Sequence, residues 1–332
     1  MKSGGEMSNL SGGHTDSAQI VRCGCKINLF LQIIGRRADG YHDLSTLFFP
    51  LCEPHDELLI RPQDPKKAAG LRVIPAAGTL AENTPDFCPG LDFEHNTLTK
   101  AYDLYAWATG FKPALSLELR KGIPVGGGLG GGSSDAAVLL NWLQEHCPNP
   151  LAHDGLISLA ARVGADVPFF IINRPCLAEG IGERLTPVDL PLAGCWLILL
   201  CSATRVDTAW AFRQWDQQLN NSGGLTDSGG EHGGLTVYAK PDKNYSSDLN
   251  LLWVNNCFEP LVFKHYPSLN WQKKLLIQLG AGAAGMSGSG SAIFGLFRGL
   301  EMAEMALAEL EQGQKNGLLP EKTLVFGPLR LN

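Results

Sequence analysis

One stretch of this chain has the residue types and spacing to hold a polyanion. Pro124-Val125-Gly126-Gly127-Gly128-Leu129-Gly130-Gly131-Gly132-Ser133-Ser134-Asp135-Ala136-Ala137 sets six glycines around a single leucine. Backbone free of Cβ atoms adopts positive φ readily and can approach an anion closely. A run of helix formers, Asp135 to Gln144, follows at once, so the glycines stand where a helix begins. A helix N-terminus offers unpaired N–H donors and a partial positive charge, which suits phosphate. Ser133 and Ser134 add hydroxyls that can cap the helix or reach a metal bound to that phosphate. The expected ligand is a nucleotide.

Phosphate alone names no reaction; a group that activates a nucleophile is also needed. Asp166, in Gly164-Ala165-Asp166-Val167-Pro168, follows a predicted helix in a turn that Pro168 stiffens. Lys26 falls inside an apolar strand pattern between Cys25 and Ile27. There an ammonium needs a carboxylate or a ligand, unless the strand is an edge and the lysine points to water. Brought together, the two would lower the carboxylate pKa and orient a hydroxyl near a phosphate. Asp135 is the rival acid, but the dipole of its helix, or a place beside a metal, accounts for it. Asp166 is the expected base.

Other readings of the glycine run fit less well. A flexible linker is not preceded by alternating Leu115, Leu117 and Leu119 and followed by an amphipathic helix. Gly126, Gly128 and Gly131 satisfy the dinucleotide spacing G-x-G-x-x-G, as any glycine run does. That motif needs an acidic residue roughly 20 residues on, where this chain is polar and proline-containing. The Walker form fails because no lysine follows the glycines.

The elements that would position these groups can be read along the chain. Cys25, Ile27, Leu29, Leu31 and Ile33 alternate as a strand, ending in a turn at Gly35–Gly40. Leu44–Leu51 and Glu57–Arg61 read as two more strands, and 63–89, rich in Pro, Ala and Gly, reads as loop. Asn96 caps a helix over Thr97–Gly110. Leu115–Leu119 is a strand running into the glycines, and Asp154–Val163 a short helix. Strands are expected at Phe169–Ile172 and Trp196–Cys201, and helices near Trp253–Phe263 and Trp271–Leu279. A tight Gly-Ser cluster, Gly285 to Ser291, precedes a strand at Ala292–Phe297 and a helix at Glu301–Gly313. Asn220–Gly234 reads as a surface insertion. Without regular βαβ alternation, the class is α+β.

At 332 residues and 44% hydrophobic content, the chain has material for a large core and two domains. A net charge of −6 with no basic stripe argues against nucleic acid as a partner. Nine cysteines, at positions 23, 25, 52, 88, 147, 176, 195, 201 and 257, form no C-x-x-C pair. Reduced, mostly buried thiols in a cytoplasm fit this better than zinc or disulfides. The longest apolar run, Leu192 to Ala203, is too short to span a membrane. Residues 1–19, rich in Gly and Ser, read as a disordered tail without a signal-peptide pattern.

These segments resemble the GHMP kinases, the family of galactokinase, homoserine kinase, mevalonate kinase and phosphomevalonate kinase. Pro124 to Ala137 is similar to their phosphate loop, and Met286-Ser287-Gly288-Ser289-Gly290 to their C-terminal glycine motif. Lys26-Ile27-Asn28-Leu29-Phe30-Leu31, Gly35 to Leu44, Gly164 to Phe169 and Ala178 to Glu183 resemble a branch that phosphorylates a cytidine diphosphate-linked polyol. The resemblance runs from about Ile20 to the C-terminus.

It implies a two-domain α+β GHMP kinase fold, with an ATP-binding domain at 20–172, a second domain at 173–332 and the active site between them. It implies ATP and Mg2+ as cofactors, a small-molecule alcohol as partner, and no nucleic acid or membrane. A monomer or weak homodimer is expected. Asp166 would take the proton from the substrate hydroxyl, with Lys26 holding carboxylate and hydroxyl and Asn28 contacting the substrate nearby. Tyr41 would stack on the cytosine, His42 hydrogen-bond to it, and Phe212 stack on its other side. Pro124, Gly126, Gly127, Gly128, Leu129, Gly130, Gly131 and Gly132 would hold the ATP phosphates. Ser133 and Ser134 would hold those phosphates and the magnesium. Gly288, Ser289 and Gly290 would approach from the other domain, and Asn96 and Lys121 would lie near the adenine.

The chain departs from the family in having Gly24-Cys25 where Pro-Ala is usual, and in the insertion at 220–234. Three rivals stand beside this reading. A homoserine- or mevalonate-type GHMP kinase would lack a reason for Tyr41-His42. A non-catalytic ligand sensor would be expected to have lost Lys26 or Asp166. A nicotinamide-dependent oxidoreductase would use the glycines differently.

Overall fold

From Cys25 to Ile33 every residue of strand β1 (Gln19–Arg36) is buried, because the strand is covered on both faces. In the computed structural model, which describes residues 18–67, 70–75, 96–221, 254–320 and 322–331, it pairs antiparallel with β2 (His42–Pro62). Next come β3 (Gly70–Pro75), α1 (Thr97–Thr109), β4 (Leu115–Lys121), α2 (Gly131–His146), α3 (His153–Val163) and α4 (Val167–Ile172). β5 (Cys176–Gly180) and β6 (Arg184–Pro187) follow, then β7 (Cys195–Cys201), α5 (Thr208–Asn221) and β8 (Asn255–Asn256). The chain closes with α6 (Glu259–His265), α7 (Pro267–Gln278), β9 (Ala283–Met286), β10 (Ile293–Arg298), α8 (Leu300–Lys315) and β11 (Leu324–Arg330).

Two sheets result. The first runs β3-β4-β2-β1-β8, with β5 on β2 and β6 on β5; the second runs β11-β7-β10-β9. Most pairs are antiparallel, and helices gather on the outer face of each sheet, which is the α+β arrangement. One apolar layer lies between the first sheet and α1–α4, with Leu58, Ile60, Leu117, Tyr105, Leu140 and Phe169 in it. A second joins the sheets, Ile27, Leu29 and Leu47 meeting Leu197, Leu199 and Phe294. The third lies between the second sheet and α5–α8.

Several elements differ from the sequence expectation. Leu44–Leu51 and Glu57–Arg61 are one continuous strand, β2, because its partner β1 follows it past the intervening irregularity. β3 lies inside the stretch expected to be loop, pairing parallel to β4. Phe169–Ile172 is helical, not a strand. A short apolar run cannot be sorted by periodicity, and here Pro168 in the first turn favours helix. Near Trp253–Phe263 the chain forms β8 and then α6, with only residues from Val254 on described. β5 and β6 lie beyond residue 172 and still pair into the first sheet. Cys88 and residues 222–234 of the insertion fall outside the described residues.

Candidate active site

The glycine loop is the exit from β4. Gly126, Gly128 and Gly130 all have positive φ, 78°, 77° and 72°, which a side chain would strain. Gly130 caps α2, accepting from the N–H groups of Ser133 and Ser134 at 3.0 Å each. The helix thus begins at Gly131, earlier than the sequence pattern placed it, and its first two residues are bare backbone. The loop walls a groove of about 330 Å3 with Asn96, Thr97, Leu119, Lys121, Ser133 and Asp135. Ser134 is buried and not among those lining residues.

The base of this groove is anchored by charge. Lys121 Nζ donates to Asp56 Oδ2 and, at 3.0 Å, to Asp135 Oδ2. Asp56 Oδ1 accepts the Gly122 and Ile123 N–H groups at 2.7 and 2.8 Å. The start of the loop is therefore bolted to β2. Burial pushes the Asp135 carboxyl up to about 7, against the pull of Lys121. Asn96 Oδ1 accepts from Leu98 N at 2.9 Å, so its side chain caps α1 as the sequence indicated. Both residues expected near adenine line the groove, but each is already engaged with protein.

The second Gly-Ser cluster, between β9 and β10, docks onto the first. Ser287 Oγ accepts from Asn28 N at 3.1 Å and donates to Gly128 O at 3.0 Å. A Cβ on Gly128 would run into the Ser287 carbonyl oxygen. Ala292 N donates to Gly127 O at 3.1 Å. Asn256 Nδ2 ties down Met286 O and Gly288 O at 2.8 and 2.6 Å, and Thr208 Oγ1 lies 2.8 Å from Ser289 Oγ.

Beside the docked loops is a cavity of about 710 Å3. Lys26, Asn28, Tyr41, His42, Asp166 and Phe212 all line it, together with Gly128, Gly130, Gly288 and Ser289. Lys26 Nζ is 3.7 Å from Asp166 Oδ2 and donates to Asn28 Oδ1 at 2.6 Å. Asn28 Nδ2 in turn donates to Thr46 Oγ1 at 2.7 Å, whose hydroxyl donates to Phe30 O at 2.6 Å. That relay fixes the amide with its oxygen toward the ammonium. The ammonium also sits 4.9 Å over the Phe48 ring, and Lys26 N–H donates to Leu129 O at 2.9 Å. The edge-strand, water-facing alternative for Lys26 is therefore excluded: it is 4% exposed. Burial lowers its pKa and Asp166 opposes the shift. Asp166 stands at the N-terminal cap of α4, held by the buried Val167, Pro168 and Phe169.

Also on the cavity lining, His42 Nε2 lies 2.7 Å from Asp216 Oδ1. The His42 ring stacks on Phe212 at 4.7 Å between centroids and 21° between planes. Phe212 meets Phe258 edge-on at 4.9 Å. Tyr41 is 61% exposed on the cavity rim. Sequence reasoning missed Asp216, Thr46, Ser287 and Asp56. The first had a signal, since Asp216 is four residues after Phe212 and shares its face of a helix. Ser287 lay in a quoted motif whose glycines drew attention instead. Thr46 shows only in the β1–β2 pairing, and the partnership of Asp56 with Lys121 only in the β2–β4 pairing.

Among the described residues, no group of three or more His, Cys, Asp or Glu side chains is placed to hold a metal. The Ser133 hydroxyl on the groove is a hard oxygen donor of the kind magnesium takes beside phosphate and water. No helix is long and apolar enough to cross a membrane among the described residues.

Comparison with known proteins identifies the family. Residues 96–174 match the GHMP kinases N terminal domain, and 245–315 match GHMP kinases C terminal. The 4-diphosphocytidyl-2-C-methyl-D-erythritol kinase of Nitratidesulfovibrio vulgaris (strain DP4) is 46% identical over 300 residues, 89% of this chain and 96% of the relative. That of Lawsonia intracellularis (strain PHE/MN1-00) is 42% identical over 283 residues, covering 84% and 88%. A crystal structure of 4-(cytidine 5'-diphospho)-2C-methyl-D-erythritol kinase superposes with a TM-score of 0.63 at 31% identity, covering 89% of this chain and 96% of the other. A homoserine kinase from Cytophaga hutchinsonii, at 19% identity and a TM-score of 0.67 over 97% and 98% of the two chains, shares the fold.

Proposed function

The chain belongs to the 4-diphosphocytidyl-2-C-methyl-D-erythritol kinases of the GHMP kinase family, and we propose that its cavity and glycine groove together move the γ-phosphoryl group of ATP onto the 2-hydroxyl of that diphosphocytidyl polyol. This is a step of the non-mevalonate isoprenoid pathway. One observation supports the assignment of parts above all: Gly128 and Gly130 line both the groove and the cavity that holds Lys26 and Asp166. A triphosphate lying along the groove would end where the acceptor hydroxyl meets its base.

Phosphoryl transfer needs mainly positioning and charge neutralisation. The N–H groups of Gly131 and Gly132 at the start of α2 would donate to the phosphates. The Ser133 hydroxyl, which lines the groove, would hold magnesium carried on the phosphates and so help to neutralise their charge. Asp166 accepts the hydroxyl proton, and Lys26 steadies the carboxylate and the oxygen left behind. Asn28, fixed by Thr46, keeps the ammonium aimed at that point. Tyr41, His42 and Phe212 hold the cytosine end, so the distance between that wall and Asp166 selects the alcohol. Gly288 and Ser289 close over the phosphates from the second sheet, and Asn96 and Lys121 frame the end of the groove where adenine would lie. The unpaired thiols of Cys23, Cys25, Cys147 and Cys201 support a reducing, cytoplasmic setting.

The test is direct. The pure protein is given ATP, magnesium and a panel of alcohols that includes the diphosphocytidyl polyol, homoserine and mevalonate. ATP consumption with the cytidine-linked alcohol alone is expected. Turnover of homoserine or mevalonate in preference would overturn the reading.

A further inference from the structure

We propose that Asp216 is a positioning residue for base recognition, holding His42 in the tautomer that offers a nitrogen lone pair to the substrate's nucleobase. It would thereby favour a pyrimidine bearing an amino group over one bearing a carbonyl. The inference rests on the cytidine-linked substrate proposed above.

A carboxylate only accepts hydrogen bonds. With Asp216 Oδ1 2.7 Å away, Nε2 of His42 must carry the proton. In the neutral ring Nδ1 is then an acceptor. The face-on stack against Phe212 and the burial of His42 to 8% exposure prevent the ring from turning to exchange its nitrogens. Asp216 is itself oriented. The Arg36 guanidinium lies 3.6 Å from Asp216 Oδ2, and Asp216 follows Phe212 by one turn of α5, so stacking partner and proton acceptor arrive on the same helix face. All four residues line the cavity. Cytosine and uracil differ at the 4-position, an amino donor in one and a carbonyl acceptor in the other. A fixed acceptor pairs with the first and leaves both groups unsatisfied with the second, a difference of roughly 10- to 100-fold in binding.

The full chain is tested as wild type, Asp216→Ala and Asp216→Asn, with cytidine- and uridine-diphosphate forms of the same polyol. The His42 ring is followed by nitrogen NMR. The Asn variant keeps an oxygen that accepts from Nε2–H. The Ala variant should lose roughly 10-fold or more of the cytidine preference through the KM for the polyol, with kcat and the KM for ATP near wild type. The Asn variant should restore most of the preference. The ring should report Nε2–H in wild type and Asn and mixed tautomers in Ala. An unchanged base preference in Ala, an unchanged tautomer in Ala, or equal losses of ATP and polyol affinity in both variants overturns the role of Asp216. A wild type inactive on the cytidine-linked alcohol overturns the proposed reaction instead. The NMR comparison needs no turnover and still decides whether Asp216 sets the tautomer.

Discussion

Lys26 and Asp166 face each other at 3.7 Å, with the lysine side chain 5% exposed and the aspartate 31%. Asn28 takes one N–H of the ammonium and fixes its position, while the carboxylate keeps one side open to the cavity. That asymmetry suits a base. Asp166→Asn should lower kcat by about 10²- to 10⁴-fold and leave ATP affinity within a few-fold of wild type, as read by steady-state kinetics and calorimetry. Turnover near the wild-type rate would remove Asp166 from the proton-accepting role.

The glycine loop has no room for a methyl group where it meets the second sheet. Gly128 has φ 77° and its missing Cβ would collide with Ser287 O. The backbone strain alone is worth roughly 1–3 kcal/mol. Gly128→Ala should therefore shift the urea midpoint downward and raise the KM for ATP. A variant that is as stable as wild type and binds ATP normally would contradict the packing described.

Stability should depend on pH through Asp135. Its carboxyl, raised to about 7 by burial, binds a proton more tightly folded than unfolded. It therefore contributes stability in acid that is lost as pH rises from the ordinary carboxylate range through about 7. Asp135→Asn removes that loss. Denaturation curves at several pH values should show wild type falling relative to the variant between about pH 4 and 7 and running parallel above. Parallel behaviour throughout would mean the buried Lys121 carries the pair fully ionised.

The two ends of the cavity should separate kinetically. His42→Ala or Phe212→Ala should raise the KM for the cytidine-linked alcohol at least 10-fold, an aromatic pair being worth about 1 kcal/mol beyond the area it buries. The KM for ATP should move little. An equal rise in both would mean that this wall shapes the fold rather than reading the base.

The glycine loop at a helix start and the turn carrying Asp166 were legible in the sequence because each depends on local pattern, whereas the apolar strand around Lys26 left open whether its ammonium faces water, which the burial against Asn28 and Asp166 decides. The Asn96 cap was legible from local pattern too. The placement of Lys121 was not. Nothing near it in the chain announces Asp56, which reaches it only because β2 pairs with β4. Ser287 likewise meets Gly128 across two sheets. The strand expected at Phe169–Ile172 failed because four apolar residues carry no period. Long-range pairing, not local propensity, supplied the second half of the site.

Strand β8 lies far along the chain, yet Asn255 and Asn256 lie alongside Phe30 and Leu31 of β1. Asn256 then reaches back to hold Met286 and Gly288. This dipeptide thus adds a backbone stitch to the apolar layer and the Ser287 and Ala292 contacts that join the two halves. A chimera that exchanges the C-terminal half between relatives must therefore keep this dipeptide in register with β1, or the Gly-Ser cluster that Asn256 holds loses its anchor to the first sheet.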